Sequence, residues 1–295
     1  MKLNYDILWV DDRIKERPFQ RIINETKEFL LDQYFNCNII EAEDFNEFKE
    51  KFSAQKEFDI IITDYSLNEG TFGNQVIDFI RDSQHNFTEI FFYSANNNVK
   101  EIKLFSNNRI TFYQLTGGDY KELENEIIEV INQTIKKFQH IVAMRGMIMN
   151  ETSSLDVEFH NILKTVISRG ETEDILNLIK DKYKKSNLDF NSNIESVKEI
   201  DDILLKIGST HRWRALIRNL PKGDVLNILN EYEKEVIKVR NDFAHAELKT
   251  EEGTGIQYFE DKKGGKPFND EACKIIRKNI IKHKNNLDNL QSELG

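Results

Sequence analysis

Five short apolar runs lie within the first 138 residues, separated by amphipathic segments, and they constrain the fold more than any other feature of this chain. They are Leu3–Val10, Phe35–Ala42, Phe58–Tyr65, Glu89–Ala95 and Ile110–Leu115. Each is about 6–8 residues long and rich in Ile, Val, Phe or Tyr, the pattern of strands buried on both faces of a parallel sheet. Helical periodicity fills the gaps, as in Pro18–Gln33, where Ile22, Ile23, Phe29 and Leu30 share one side. Five such repeats predict a doubly wound α/β domain with a five-stranded parallel sheet over residues 1–138.

Beyond that point the alternation stops. Residues 139–295 predict an all-α helical bundle, with helices over Arg145–Ser168, Glu171–Lys185, Ile194–Ile207, Pro221–Ala244 and Asp270–Leu294. Pro221 suits a first helical turn, and Asn269 ahead of Asp270 and Glu271 suits an N-cap. Gly255–Pro267 predicts a small β-hairpin, with Ile256, Tyr258 and Phe259 leading into a Lys-Lys-Gly-Gly turn. The junction has no flexible linker: Ile127, Ile131, Ile135, Phe138 and Val142 recur at helical spacing. A helix continuing from one domain into the next, a dimer seam and an ordinary packing helix all fit that spacing.

The length of 295 residues agrees with two domains. Its 41 Lys+Arg against 51 Asp+Glu give a net charge of -10, at first sight a case against nucleic acid. The acidity is unevenly divided, however. Residues 1–138 carry 16 basic and 25 acidic side chains, a net of -9, and the remainder carries 25 and 26, a net of -1. The total therefore says little about what the second half can bind. Two cysteines, Cys37 and Cys273, exclude a disulfide scaffold and a thiolate zinc site. Without a signal-peptide pattern or the roughly 18 apolar residues of a membrane span, the expected location is the cytoplasm, with no membrane partner.

In an open α/β sheet, ligands gather at the carboxyl ends of the strands. Asp11 and Asp12 follow the first apolar run, Asp64 stands near the end of the third, and Ser94 near the end of the fourth. Three converging carboxylates repel one another unless a cation or a pKa shift relieves them, and hard oxygen ligands suit Mg²⁺. With these residues in place, residues 1–138 resemble the receiver domain of two-component response regulators. The resemblance rests on Ile7-Leu8-Trp9-Val10-Asp11-Asp12, on Ile60-Ile61-Ile62-Thr63-Asp64-Tyr65-Ser66-Leu67 and on Tyr93-Ser94-Ala95. It implies that Asp11, Asp12 and Asp64 hold Mg²⁺, that Asp64 accepts a phosphoryl group and that Ser94 is a switch hydroxyl. One departure matters: the family's Lys after the fifth strand is replaced by Thr116 or a near neighbour in Tyr113-Gln114-Leu115-Thr116-Gly117-Gly118. Asn68 likewise stands where the family often has Pro. A phosphorylatable receiver and a purely protein-binding one both fit these residues.

The sharpest motif of the second half is Val236-Ile237-Lys238-Val239-Arg240-Asn241-Asp242-Phe243-Ala244-His245, which sets an Arg, a carboxamide and a His at the end of an amphipathic helix. Chance supplies roughly 0.24 Arg-x4-His pairs in such a chain, and roughly 0.02 once Asn must follow the Arg. A surface Arg beside a capping His is the plainer interpretation. Positions five apart differ by about 140° on a straight helix, so convergence needs the helix to end or distort near Ala244, or a second copy to face it. The segment resembles the Arg-Asn-x3-His signature of the HEPN superfamily, helical bundles that include metal-independent ribonucleases of toxin and antiviral defence systems. The resemblance spans roughly residues 143–294 and implies that Arg240 and His245 are catalytic, that Asn241 orients them, and that two protomers share one groove. The chemistry needs no cofactor, because RNA carries its own 2′-hydroxyl nucleophile. His245 can move protons and Arg240 can stabilise phosphate charge. Arg212, Arg214 and Arg218 form a weaker candidate RNA contact, with Trp213 either stacking on a base or filling the core.

Together these readings describe a signal-controlled endoribonuclease effector, dimeric, with RNA as substrate and a histidine-kinase-like or ATPase partner upstream. The alternative is a non-enzymatic signalling adaptor whose two halves bind proteins and dimerise. A DNA-binding regulator fits less well, since the second half has no short helix-turn-helix with a basic recognition helix.

Overall fold

The apolar runs become β1 (Asn4–Val10), β2 (Asn36–Ala42), β3 (Ile60–Asp64), β4 (Glu89–Ser94) and β5 (Ile110–Gln114). All pair in parallel, in the order β2-β1-β3-β4-β5. Reversal of direction across β1 and β3 places a ligand crevice at their carboxyl ends. The computed structural model describes residues 3–55, 57–67, 71–82, 88–95, 110–169, 176–177, 179–181, 200–219, 229–252, 257–261, 264–267 and 269–294. The chain divides into two compact units, Lys2–His140 and Ile141–Gly295.

In the first unit, the described helices are α1 (Arg17–Asp32), α2 (Phe45–Ala54), α3 (Gly73–Asp82) and α4 (Tyr120–Phe138). Side chains alternate across the sheet. Tyr5, Ile7, Trp9, Ile60, Ile62, Phe91 and Tyr93 join α1 and α4 in one core layer. Leu8, Val10, Ile61, Ile90 and Phe92 join α2 and α3 in the other. Burial on both faces explains why these strands read as continuous apolar runs. Helix starts follow local chemistry: Asp44 accepts hydrogen bonds from the amides of Asn46 and Glu47, at 2.7 and 2.9 Å, and Asp119 caps α4 in the same way. This arrangement fits a receiver-like α/β fold.

The second unit contains α5 (Ile141–Arg169), α6 (Ile200–Lys206) and α7 (Ser209–Asn219). Residues 229–245 are helical too, with a π-wound turn at Glu233–Ile237 leading into α8 (Lys238–His245). Then come β6 (Glu247–Thr250), β7 (Gln257–Asp261), β8 (Gly264–Pro267) and α9 (Asp270–Leu294). Met144, Ile148, Leu155, Phe159 and Leu163 recur along α5 and are buried, as are Trp213, Tyr232, Val236, Ile280 and Leu287 on later helices. Asn269 caps α9 through Ala272 N–H, at 2.9 Å.

Three expectations change. The small hairpin is a three-stranded antiparallel sheet in the order β8-β7-β6. Its extra strand, Glu247-Leu248-Lys249-Thr250, has one large apolar residue, too weak a pattern to read, and is held by pairing Leu248 with Phe259. Gly264 and Gly265 pair with Asp261 and Glu260 inside a strand, not in a turn. Of the three readings of the junction, the continuous helix is set aside by a break: α4 stops at Phe138, where the Gln139 amide bonds to the carbonyls of Ile135 and Lys136, and α5 starts at Ile141. Finally, α7 is a separate helix missing from the sequence-predicted set. Most of Glu171–Lys185, residues 194–199, Pro221 and Asn68 lie outside the described residues. No helix among the described residues is long and apolar enough to cross a membrane.

Candidate functional site

Because β1 and β3 are adjacent and parallel, the residues at their carboxyl ends meet. Asp11, Asp12 and Asp64 each offer a carboxylate oxygen within 4.8 Å of the others. Asp11 is fully buried and Asp64 nearly so. Burial, the larger cause, pushes the Asp64 carboxyl up to about 7, with the neighbouring Asp11 charge adding to it. Burial likewise raises Asp11 to about 6, against hydrogen bonds from Tyr93 and the Arg13 amide. Hard oxygen donors crowded in this way, with their charged forms penalised, are a fit for a small divalent cation such as Mg²⁺.

The pocket also holds residues that sequence reasoning missed. The Tyr93 hydroxyl donates to Asp11 Oδ2 and accepts from Trp9 Nε1 at 3.1 Å, a buried chain from the core to the acidic cluster. The Arg13 amide donates to Asp11 Oδ1 at 2.7 Å. The signal for Tyr93 was its parity with Trp9 across the sheet; the signal for Arg13 was its place directly after Asp12. Ser94, the last residue of β4, is fully buried, and its carbonyl accepts from Leu115 N and Gln114 Nε2, at 2.8 and 2.7 Å. Thr116 is exposed beyond β5, just ahead of Gly117 and Gly118, whose φ values of 65° and 72° make the turn.

In the second unit, Arg240 is gripped from two other helices. Its Nη1 donates to Asp156 Oδ2 of α5 at 2.8 Å and to Ser209 Oγ of α7 at 2.7 Å. Ser209 itself donates to Asp156. Asn241 Oδ1 accepts from Arg240 Nε and Nη2, at 3.3 and 3.2 Å. The Arg240 and Asp156 side chains are 17% and 18% exposed, so this is a largely desolvated pair. Below it the buried Tyr232 hydroxyl has no hydrogen-bond partner among the described residues. Arg145 donates to the Ala244 carbonyl at 2.7 Å, closing the end of α8, and its guanidinium lies over the Phe259 ring. A cleft of about 520 Å³ beside the π-wound turn is lined by Thr210, Asn230, Lys234, Lys238 and Asn241 among others. α8 runs unbroken from Arg240 to His245, so the two backbone positions stay about 140° apart. The His245 side chain lies outside the described residues.

Of the weaker basic cluster, Trp213 is buried and bonds Leu229 O at 2.7 Å through Nε1, which makes it a core residue. Arg212 Nε is turned to the Leu204 carbonyl at 2.8 Å, Arg214 pairs with Glu233 at 3.0 Å, and Arg218 is exposed. Arg214→Ala is expected to change folding stability by no more than about 0.5 kcal/mol, as for other exposed pairs. Arg212→Ala should cost about 1 kcal/mol by stranding a carbonyl. Urea midpoints of the two variants would check that order. Two other histidines have carboxylate partners: His160 lies 3.0 Å from Asp201, and the buried His283 lies 2.7 Å from Glu235.

No family model and no curated protein matches this chain. Solved structures similar to its first half include a response regulator receiver domain protein from Clostridium thermocellum, at 17% identity and TM-score 0.34, covering 45% of this chain and 95% of that one. Another is a CheY-like receiver domain protein from Methanospirillum hungatei JF-1, at 16% identity and TM-score 0.34, covering 45% and 98%. A third is the response regulator domain of Thermotoga maritima CheB, at 19% identity and TM-score 0.35, covering 45% and 97%. The receiver-like description of residues 2–140 rests on the strand order and register given above.

Proposed function

We propose that the chain is a signalling effector, in which a receiver-like input unit takes a phosphoryl group on Asp64 and a HEPN-like helical unit acts on RNA as a dimer. The carboxylates of Asp11, Asp12 and Asp64, crowded within 4.8 Å at the sheet's carboxyl edge, are the observation that carries it. Asp64 would attack the phosphorus of a phospho-donor, such as a histidine-kinase-like or ATPase partner. The new oxygen–phosphorus bond forms as the donor's bond breaks and its group leaves with the electron pair. Mg²⁺ bound by the three carboxylates would supply charge neutralisation for the incoming oxygens. Tyr93 and the Arg13 amide hold Asp11 in place, and Ser94 stands at the end of β4 as the candidate switch hydroxyl.

In the second unit, the RNA 2′-hydroxyl would be the nucleophile, His245 would move protons and Arg240 would pair with phosphate oxygens, leaving a 2′,3′-cyclic phosphate and a 5′-hydroxyl. Another observation favours a second reading. The Arg240 guanidinium is already committed to Asp156, Ser209 and Asn241, as suits an adaptor in which the motif only braces helices. The first unit's role is tested by mass spectrometry after incubation with acetyl phosphate and Mg²⁺. A phosphoryl-sized gain on Asp64, absent in Asp64→Asn, is expected; an unmodified Asp64 would overturn the proposal.

A further inference from the structure

A phosphoryl group on Asp64 would add negative charge to a cluster that already holds three carboxylates, so some cation besides the metal has to meet it. The position after β5, which the family fills with Lys, here carries an exposed Thr116. Two lysines near the carboxyl end of β2 are engaged elsewhere: Lys15 pairs with Glu41 at 2.7 Å, and Lys51 pairs with Glu47 at 2.6 Å. Arg13 is different. Its amide is fixed to Asp11 Oδ1 at 2.7 Å, which ties the residue to the rim of the pocket. Its guanidinium rests on the Phe19 ring, 5.4 Å from the centroid, and makes no ion pair or hydrogen bond among the described residues. Phe19 in turn stacks on Tyr93 at 6.2 Å, and the Tyr93 hydroxyl donates to Asp11. The guanidinium is thus held one aromatic layer from the acidic cluster, half-buried, with its donors uncommitted among the described residues.

We infer that Arg13 supplies the cation that recognises a phosphoryl group on Asp64, taking over from the β1–α1 loop the work that a lysine after β5 does in the receiver family. The inference rests on Asp64 being the phosphoacceptor. Guanidinium suits the task, because its planar fork can bind two phosphoryl oxygens at once. Its charge already acts on both buried carboxylates, opposing the upward push that burial gives them. An aromatic rest keeps such a group ordered while leaving its hydrogen-bonding edge open.

The test uses the full chain with beryllofluoride as the phosphoryl mimic, following tryptophan fluorescence and thermal shift. Arg13→Gln is expected to weaken beryllofluoride binding by about tenfold or more, the loss of one charge-assisted contact. The same variant should bind Mg²⁺ alone as tightly as the parent chain or a few-fold tighter, because a cation beside three carboxylates repels a second one. Arg13→Lys should recover most of the beryllofluoride affinity. A loss of beryllofluoride affinity without a loss of Mg²⁺ affinity separates recognition from loop damage, which would weaken both. Beryllofluoride binding by Arg13→Gln equal to the parent's, or a parallel loss of Mg²⁺ and beryllofluoride, would overturn the assignment. If the parent chain binds Mg²⁺ but not beryllofluoride and gains no mass at Asp64, the phosphoacceptor reading falls first and the Arg13 assignment with it.

Discussion

Warming this protein in EDTA should unfold its first unit at a midpoint more than about 10 °C lower at pH 8 than at pH 5, and Mg²⁺ should reverse most of the difference. The cause is the acidic pocket. Below the ordinary aspartate pKa, both folded and unfolded chains hold the protons of Asp11 and Asp64. As pH rises past about 4, the unfolded carboxyls let go. The folded ones keep their protons until about 6 for Asp11 and about 7 for Asp64. Through that window the unfolded state binds fewer protons than the folded state, so stability falls as pH rises and the loss is complete above about 7. The two groups together are worth on the order of 5 kcal/mol.

A divalent cation that binds the ionised carboxylates of the folded state and not the unfolded chain would stabilise the fold where the protons have left. Asp64→Asn should flatten the pH slope, abolish most of the Mg²⁺ effect and leave the unit more stable than the parent at pH 8. The two tryptophans fall one in each unit, so Trp9 fluorescence in a Trp213→Phe background would follow the first unit alone. A midpoint independent of pH between 5 and 8 would refute the account.

How much of this was open to sequence reading follows from the range of the interactions. Strands buried on both faces cannot hide their composition, so β1 to β5 were readable to within a residue or two. The carboxylates at their ends followed, since parallel pairing fixes which residues meet. What a carboxylate touches sideways was harder. Tyr93 reaches Asp11 across β3, a strand between them, and only the register brings Trp9, Tyr93 and Asp11 together. In the second unit nothing local marks Asp156 among the other acids of the 29-residue α5, yet it lies against Arg240, 84 positions away. Nor does spacing disclose the π-wound turn at Glu233–Ile237, which adds a residue to the helix face just ahead of the motif. β6 was missed for the opposite reason: it is a strand because β7 pairs with it, not because its four residues favour it.

The same Asp156–Arg240 pair bears on both proposed outputs. Asp156→Ala leaves a largely desolvated guanidinium without its carboxylate and should destabilise the second unit by about 3 kcal/mol. Arg240→Ala should cost a similar amount by stranding Asp156, and the double variant should recover about 2 kcal/mol relative to the sum of the two, the coupling of a buried pair. That cycle is expected whether the protein cuts RNA or only binds partners, and additive losses would show that the contact does not bind the helices together. Catalysis separates the readings. If Arg240 meets an RNA phosphate, it must exchange Asp156 for it, so Arg240→Ala and His245→Ala should each lower cleavage in EDTA by about 10²–10³-fold. Arg240→Lys should then restore much of the stability but little of the rate, because an ammonium replaces the charge and not the fork. An adaptor predicts instead no cleavage by the parent chain under any condition, with dimerisation lost in step with stability across the same variants. Cleavage that persists at the parent's rate in Arg240→Ala and His245→Ala alike would remove the motif from the chemistry and leave it the task of joining α5, α7 and α8.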